Sequence, residues 1–298
     1  MQLLNDKELL KFTGEQESQF LVRPNDLYGG VNEQFNNDGT INGDLLPWSK
    51  THKKVGLRQG EVSLWAGITG HGKSQLLGQV AAWNLKYKKW LIASMEMLPE
   101  ATMSRMVQQG AGTNHPSDEY IRKMLDWASN RLWIYDQTDT VKFDRILGMV
   151  FFAAKELKIN HIVIDSLMKC GIRKDDLDGQ AMFVDKLCWA AKVTGCHIHL
   201  VHHVRKGEKE SNIPDKYDIR GASEIIDLCD NIFIIHRNKS KEIKQRTGQY
   251  VDEHEQDCSL IVAKQRHGEY EGLFKLWFNS ESKQYVPDPT NQVMAYHI

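Results

Sequence analysis

Eight residues constrain this chain more than any others: Gly67-Ile68-Thr69-Gly70-His71-Gly72-Lys73-Ser74 satisfies the spacing G-x-x-x-x-G-K-[ST]. That spacing forms a phosphate loop only where a strand runs into it and a helix leaves it. Both are present in the pattern, with the apolar run EVSLWA at 61–66 before it and helical spacing over 73–88 after it. Glycine lets the backbone wrap so closely that amide N–H groups point at phosphate oxygens. The helix N-terminus adds its partial positive charge. The expected cradle comprises Gly67, Gly70, His71, Gly72, Lys73, Ser74 and Gln75. Lys73 would reach the β and γ phosphates of a nucleoside triphosphate, and the Ser74 hydroxyl would hold Mg²⁺. A chance match is the alternative, and the strand–loop–helix context argues against it.

Around this loop, apolar runs alternate with amphipathic stretches, the pattern of βαβ units and a mostly parallel sheet. Strands are predicted at 61–66, 90–95, 131–135, 161–165, 197–201 and 231–235, with helices at 73–88, 99–110, 118–129, 142–157, 179–194 and 222–228. Residues 258–264 and 271–278 flank Gly268 and predict a C-terminal antiparallel hairpin. The fold class is therefore α/β, a parallel sheet flanked by helices. Before residue 50 the chain is polar, with a short helix expected at 4–12 and a loop from Asn32 to Gly43. The 298 residues suit one large domain with an appendage, divided here as an arm at 1–44 and a core at 45–298.

Composition excludes several classes. With 38 basic and 39 acidic residues the net charge is −1, which argues against a wholly basic nucleic-acid binder but not against local basic patches. No apolar stretch reaches the roughly 18 residues of a membrane helix, and the N-terminus lacks a signal-peptide apolar region. The five scattered cysteines, with no C-x-x-C pair, suit a reducing cytosol and exclude a cysteine zinc site. His202 and His203 are adjacent and should face opposite ways, so they are not expected to share a metal.

Four further positions bear on chemistry. Asp165 ends the strand HIVID, where a carboxylate can orient Mg²⁺ beside Ser74; the alternative is a plain strand end. Glu96 ends the strand after the phosphate-loop helix, where it could polarise attacking water or merely cap the next helix. His203 follows another strand and could sense a γ-phosphate, and the loop at 204–219 after it is locally basic or simply solvated. Arg266 is a planar cation at a hairpin tip, suited to a transferring phosphoryl group, or else a surface arginine in a turn.

These pieces resemble a known family. Ser94-Met95-Glu96-Met97, with a helix reaching Arg105-Met106, resembles a motif of ring-forming replicative DNA helicases of the DnaB type, or superfamily 4. Ala263-Lys264-Gln265-Arg266-His267-Gly268 resembles another. Asp218-Ile219-Arg220-Gly221-Ala222-Ser223, then Asp230 and the strand ending at Arg237-Asn238, resembles a third. The pattern is closest to the helicase half of phage primase–helicases and extends over about residues 45–287.

The resemblance implies a RecA-like motor, a ring of six subunits moving along single-stranded DNA with ATP or dTTP and Mg²⁺. It makes Asp165 the metal carboxylate, Glu96 the catalytic base, His203 the γ-phosphate sensor, and Arg266 with Lys264 the finger given to a neighbour. Arg237 and Phe278 would pack the base. DNA would meet Lys169, Arg173 and Lys174 in one loop and Arg205, Lys206 and Lys209 in another. A docking helix at Asp6–Phe12, a primase, polymerase or loader as partner, and the cytoplasm of a phage host complete the expectation. The first fifty residues or so hold no cysteine and no primase-like carboxylate cluster, so primase activity is not expected. The rival readings are a RecA-like DNA-dependent ATPase in recombination or regulation, and a DNA-binding partner whose nucleotide site is only structural.

Overall fold

A computed structural model describes residues 21–35, 42–204, 212–221, 223–294 and 296. The chain divides into two compact units, Met1–Thr40 and Ile41–Ile298. In the first, a 3₁₀ turn at Pro24–Leu27 runs into helix α1, Tyr28–Phe35. Proline at the first position of that turn has no N–H to leave unpaired. The loop expected from Asn32 is thus helical as far as Phe35; its two glycines and weak apolar period conceal α1 in the sequence. The docking helix expected at Asp6–Phe12 lies outside the described residues.

In the second unit the elements run β1 (Val62–Ala66), α2 (Lys73–Asn84), β2 (Trp90–Ser94), α3 (Pro99–Ala111), α4 (Asp118–Ala128), β3 (Leu132–Ile134), α5 (Phe143–Lys155), β4 (His161–Asp165) and α6 (Leu177–Thr194). They continue through β5 (His197–Val201), α7 (Glu224–Leu228), β6 (Asn231–Arg237), α8 (Lys239–Arg246), β7 (Cys258–Gln265), β8 (Gly272–Asn279) and β9 (Gln284–Val286). One sheet orders the strands β3-β2-β4-β5-β1-β6-β7-β8-β9. The pairs from β3 to β6 are parallel and those from β6 to β9 antiparallel. The expected mostly parallel α/β core with a terminal antiparallel hairpin is what forms; α8 and β9 are additions to it.

Strand alternation splits the core into two layers. Val62, Leu64, Ile162, Ile164, Ile198 and Leu200 pack against α5, α6 and α7 on one face. Trp65, Val163, Val201 and Phe233 pack against α2, α3 and α4 on the other, with Trp48 joining them. Towards the starts of the strands this second layer holds a buried polar chain. The Trp65 indole N–H donates to His199 Nδ1 at 3.1 Å. His199 Nε2–H therefore donates to His161 Nδ1 at 3.1 Å, leaving His161 Nε2–H for the Asp44 carboxylate at 3.0 Å. Beside it, His197 Nδ1–H donates to the Arg58 carbonyl while Nε2 accepts from Ser63 at 2.8 Å. Asp44 also exchanges backbone bonds with Leu57, so the last residue of the expected arm is tied into the core unit.

Candidate nucleotide site

The C-terminal ends of β1, β2, β4 and β5 meet at the phosphate loop. Gly72 sits at φ 87°, in the left-handed region that favours glycine, and caps α2. A Cβ there would lie 2.0 Å from the Tyr285 hydroxyl. At Gly67 a Cβ would lie 2.5 Å from the Ile235 carbonyl oxygen of β6. These two positions explain why the loop is built from glycine. His71 is buried, its Nδ1 accepts the Arg237 backbone N–H at 3.1 Å, and its ring lies 5.4 Å from that of His236. The loop is thereby fastened to the end of β6.

Lys73 is buried and donates to the carbonyls of Gly67 at 2.9 Å and Ile68 at 3.1 Å. Burial lowers its ammonium to about 8, against the pull of Asp165 and Glu96. The Ser74 hydroxyl donates to Asp165. Burial raises the Asp165 carboxyl; the Ser74 hydrogen bond, Lys73 and Arg105 oppose that rise, while Glu96 adds to it. Glu96 is exposed and accepts from the Ser166 hydroxyl at 3.1 Å. The His203 Nδ1 lies 3.5 Å from Lys73 Nζ and 3.3 Å from Thr69 Oγ1. Burial lowers this imidazole to about 4, with Lys73 and Arg220 in the same direction, so the ring is neutral near pH 7. Its neighbour His202 faces away and is hydrogen-bonded to the Arg220 carbonyl at 2.8 Å.

Five expected residues thus come together: Lys73, Ser74, Glu96, Asp165 and His203. The side chain of Gln75 does not join them. Its amide turns away from the loop and donates to the Lys283 carbonyl at 2.8 Å, because the first turn of α2 faces the β8–β9 turn there. Arg237 and Phe278 lie on strands β6 and β8, on the face carrying α2 and two strand spacings apart, roughly 10 Å. Glu242 of α8 pairs with the Arg237 guanidinium, and Phe278 packs 5.2 Å from the Tyr285 ring.

Lys264 and Arg266 are absent from this cluster. Lys264 donates to the carbonyls of Ile226 at 2.7 Å and Asp227 at 2.9 Å. Arg266 donates to the Leu228 carbonyl at 3.2 Å and lies 3.4 Å from Asp230. Lys264 lies near the far end of β7, roughly 20 Å along the strand from the end that adjoins Arg237, and Arg266 directly follows the strand there. Of the expected DNA contacts, Lys169 sits in the 3₁₀ turn Leu167–Lys169, half-buried. Arg173 is exposed and paired with Asp175 at 2.8 Å, and Lys174 is exposed. Arg205, Lys206 and Lys209 lie outside the described residues.

Oxygen donors alone, the Ser74 hydroxyl and the buried Asp165 carboxylate, face the loop where a metal would sit. That set suits a hard cation such as Mg²⁺, which keeps waters and phosphate oxygens in its shell. No group of three or more His, Cys, Asp or Glu capable of holding a metal occurs among the described residues. Sequence reasoning missed Ser166, Tyr285, Gln79 and Trp48. Gln79 bonds the Tyr285 backbone at both ends, and Trp48 donates to the Tyr285 carbonyl at 2.7 Å. A polar residue at a buried helix position was the only available signal, at Gln79.

Fold and loop together define a RecA-like P-loop NTPase. A family model described as AAA domain matches residues 52–209, more than half of the chain, and the chain belongs to that family. A curated relative, the Twinkle homolog protein of chloroplasts and mitochondria from Arabidopsis thaliana, is 20% identical over 215 residues, 65% of this chain. The chain spans about 30% of that relative's length. Among solved structures, one ATPase domain aligns with a TM-score of 0.74 at 17% identity, covering 88% of this chain and 97% of that one. A DnaB-like replicative helicase, described with its interactions with primase, aligns at 0.72 and 16% identity, covering 89% of this chain and 67% of that one. A KaiC-like protein from Pyrococcus horikoshii aligns at 0.58 and 13% identity, covering 83% of this chain and 97% of that one. The DnaB-type ATPase fold expected from the motif blocks is therefore the fold observed. No helix among the described residues is long and apolar enough to cross a membrane.

Proposed function

We propose that this chain is an NTP-driven replicative DNA helicase that moves along single-stranded DNA as a ring of six subunits and is phage-encoded. One observation carries the reading. Lys73, Ser74, Asp165, Glu96 and His203 meet at one end of the sheet, while Arg266 sits at the other end. An arginine just past the far end of β7, roughly 20 Å or more from that end, can serve phosphoryl transfer only at a neighbour's loop. That requirement supports the ring.

In this reading Glu96, exposed at the site and steadied by Ser166, takes the proton of the attacking water. Lys73 neutralises phosphate charge, and its attraction to Asp165 and Glu96 favours the ammonium form needed for that. A bound Mg²⁺ would supply charge neutralisation next to Ser74 and Asp165. His203, uncharged and touching Thr69 and Lys73, can exchange those contacts for a γ-phosphate and move the chain that follows it. Lys169, Arg173 and Lys174, with Arg205, Lys206 and Lys209, would line the channel and follow DNA phosphates without reading bases. ATP or dTTP is the fuel, a primase, polymerase or loader the partner, and the host cytoplasm the compartment.

The fold is also shared by a KaiC-like protein that is not described as a helicase, which leaves room for a second reading, a RecA-like DNA-dependent ATPase in recombination or regulation without unwinding. The ATPase domain and the DnaB-like helicase align more closely, with TM-scores of 0.74 and 0.72 against 0.58, and the Ala263–Gly268 block follows the helicase pattern. Strand displacement on a forked substrate, with phosphate release measured alongside, separates the two. The helicase reading expects displacement with NTP and Mg²⁺, and none with Glu96→Gln, which still binds nucleotide. DNA-stimulated phosphate release without displacement would overturn it in favour of the second reading.

A further inference from the structure

Tyr285 belongs to none of the motif blocks, yet it touches the phosphate loop at its tightest point. Its hydroxyl stands 2.0 Å from where a Gly72 Cβ would be, and the next ring atom, Cζ, stands at 3.2 Å. The hydroxyl therefore rests in van der Waals contact on the backbone that precedes Lys73. The side chain is 4% exposed and cannot swing away without opening the core.

Side-chain hydrogen bonds hold Tyr285 there. β9 is three residues long and forms the edge of the sheet beyond β8. An edge strand presents unpaired peptide groups, and here side-chain amides occupy them. The fully buried Gln79 of α2 accepts from the Tyr285 N–H at 2.7 Å and donates to its carbonyl at 2.9 Å, as a neighbouring strand would. Trp48 donates to the same carbonyl at 2.7 Å. One residue group earlier, Gln75 and Gln109 both donate to the Lys283 carbonyl, at 2.8 and 3.1 Å. Gln284 returns a bond to the Gln109 carbonyl at 2.6 Å. Three glutamines on the phosphate-loop helix and its neighbour α3 thus grip β9 and the residue before it, and β9 presses one hydroxyl against Gly72.

We propose that Tyr285 is a positioning residue for triphosphate binding, a brace that fixes the Gly72–Lys73 amides from behind, with Gln79 holding the brace. The proposal rests on the reading of residues 67–74 as the nucleotide site. A phosphate loop held in its binding shape before nucleotide arrives loses less freedom on binding. Because the brace contacts backbone and not the reacting atoms, it favours ground state and transition state alike, so its loss should raise KM and spare kcat.

The test uses Tyr285→Phe, which removes only the hydroxyl, and Gln79→Met, which keeps the length of the side chain and removes its bonds to β9. Steady-state NTP hydrolysis with saturating single-stranded DNA gives KM and kcat, and a fluorescent triphosphate analogue gives Kd. All are taken where circular dichroism shows each variant fully folded. The expected result is KM and Kd raised about tenfold in both variants with kcat within twofold of wild type. In wild type, nucleotide should also slow amide hydrogen exchange at 284–286, and this slowing should be lost in Gln79→Met. Unchanged affinity in Tyr285→Phe, or a fall in kcat with KM unchanged, would overturn the brace while leaving the nucleotide site standing. A folded wild-type chain that binds no triphosphate would overturn the nucleotide site and the brace together.

Discussion

Acid should loosen this protein at its buried histidines. His161, His197 and His199 are fully enclosed, and burial lowers each imidazole, His197 to about 3. Burial also lowers His202, to about 4. In the unfolded chain a histidine titrates near 6.5. Each ring is neutral when folded and takes up a proton on unfolding, so its contribution is complete above about pH 6.5 and shrinks as pH falls towards the folded value. At pH 5 the gap for His197 is about 1.5 pH units, or about 2 kcal/mol. His202 loses a similar amount, about 2 kcal/mol. Glu61 and Asp165, whose carboxyls burial raises, act in the opposite direction at lower pH. Asp44, held below the usual carboxylate range against its own burial by His161 and Lys88, contributes fully above the ordinary carboxylate value and loses that contribution as pH falls from there towards the lowered one. Urea unfolding at pH 7 and pH 5 reads the sum. The single-site comparison is His197→Gln, whose amide retains a donor for the Arg58 carbonyl and an acceptor for Ser63. Between pH 7 and 5 the variant should lose about 2 kcal/mol less than wild type. Equal losses in the two proteins, within 0.5 kcal/mol or so, would refute the assignment of His197 as a neutral buried ring.

Two other consequences are open to measurement. Gly67→Ala forces a Cβ to within 2.5 Å of a backbone carbonyl that cannot yield, so it should cost about 1–3 kcal/mol in thermal or urea unfolding and lower triphosphate affinity at least tenfold by titration. Lys174→Ala should reduce the slope of log affinity for single-stranded DNA against log salt by about 0.7, the share of one phosphate contact, as read by fluorescence anisotropy across a salt series.

The sequence was most legible where periodicity and chemistry coincide. β1 and α2 flank a loop in which contacts require glycine at 67 and 72 and a positive φ favours it at 70, so the motif and the fold specify each other. β4 and β5 are short apolar runs ending in Asp165 and just before His203, and helices α3 to α6 carry regular apolar stripes. β9 was hidden because its partners include side chains of α2, bonds that leave no alternating pattern. The bond from the Gln75 side chain to the residue before β9 is equally invisible in the sequence, because it joins a helix to a turn more than two hundred residues away. The helix α8, KSKEIKQR, buries only Lys241, so it has no apolar stripe to reveal it. The histidine chain from Asp44 to Trp65 depends on strand order, which spacing along the chain does not encode.

The central claim is that hydrolysis needs a neighbour, because Arg266 cannot reach its own phosphate loop. The most direct measurement is phosphate release per chain against protein concentration with saturating NTP and single-stranded DNA, with particle mass followed in the same samples. The per-chain rate should rise steeply as 34.3 kDa chains assemble, and the curve for Arg266→Ala should stay flat and low while the same particles form. Full-rate hydrolysis by a strict monomer would contradict it.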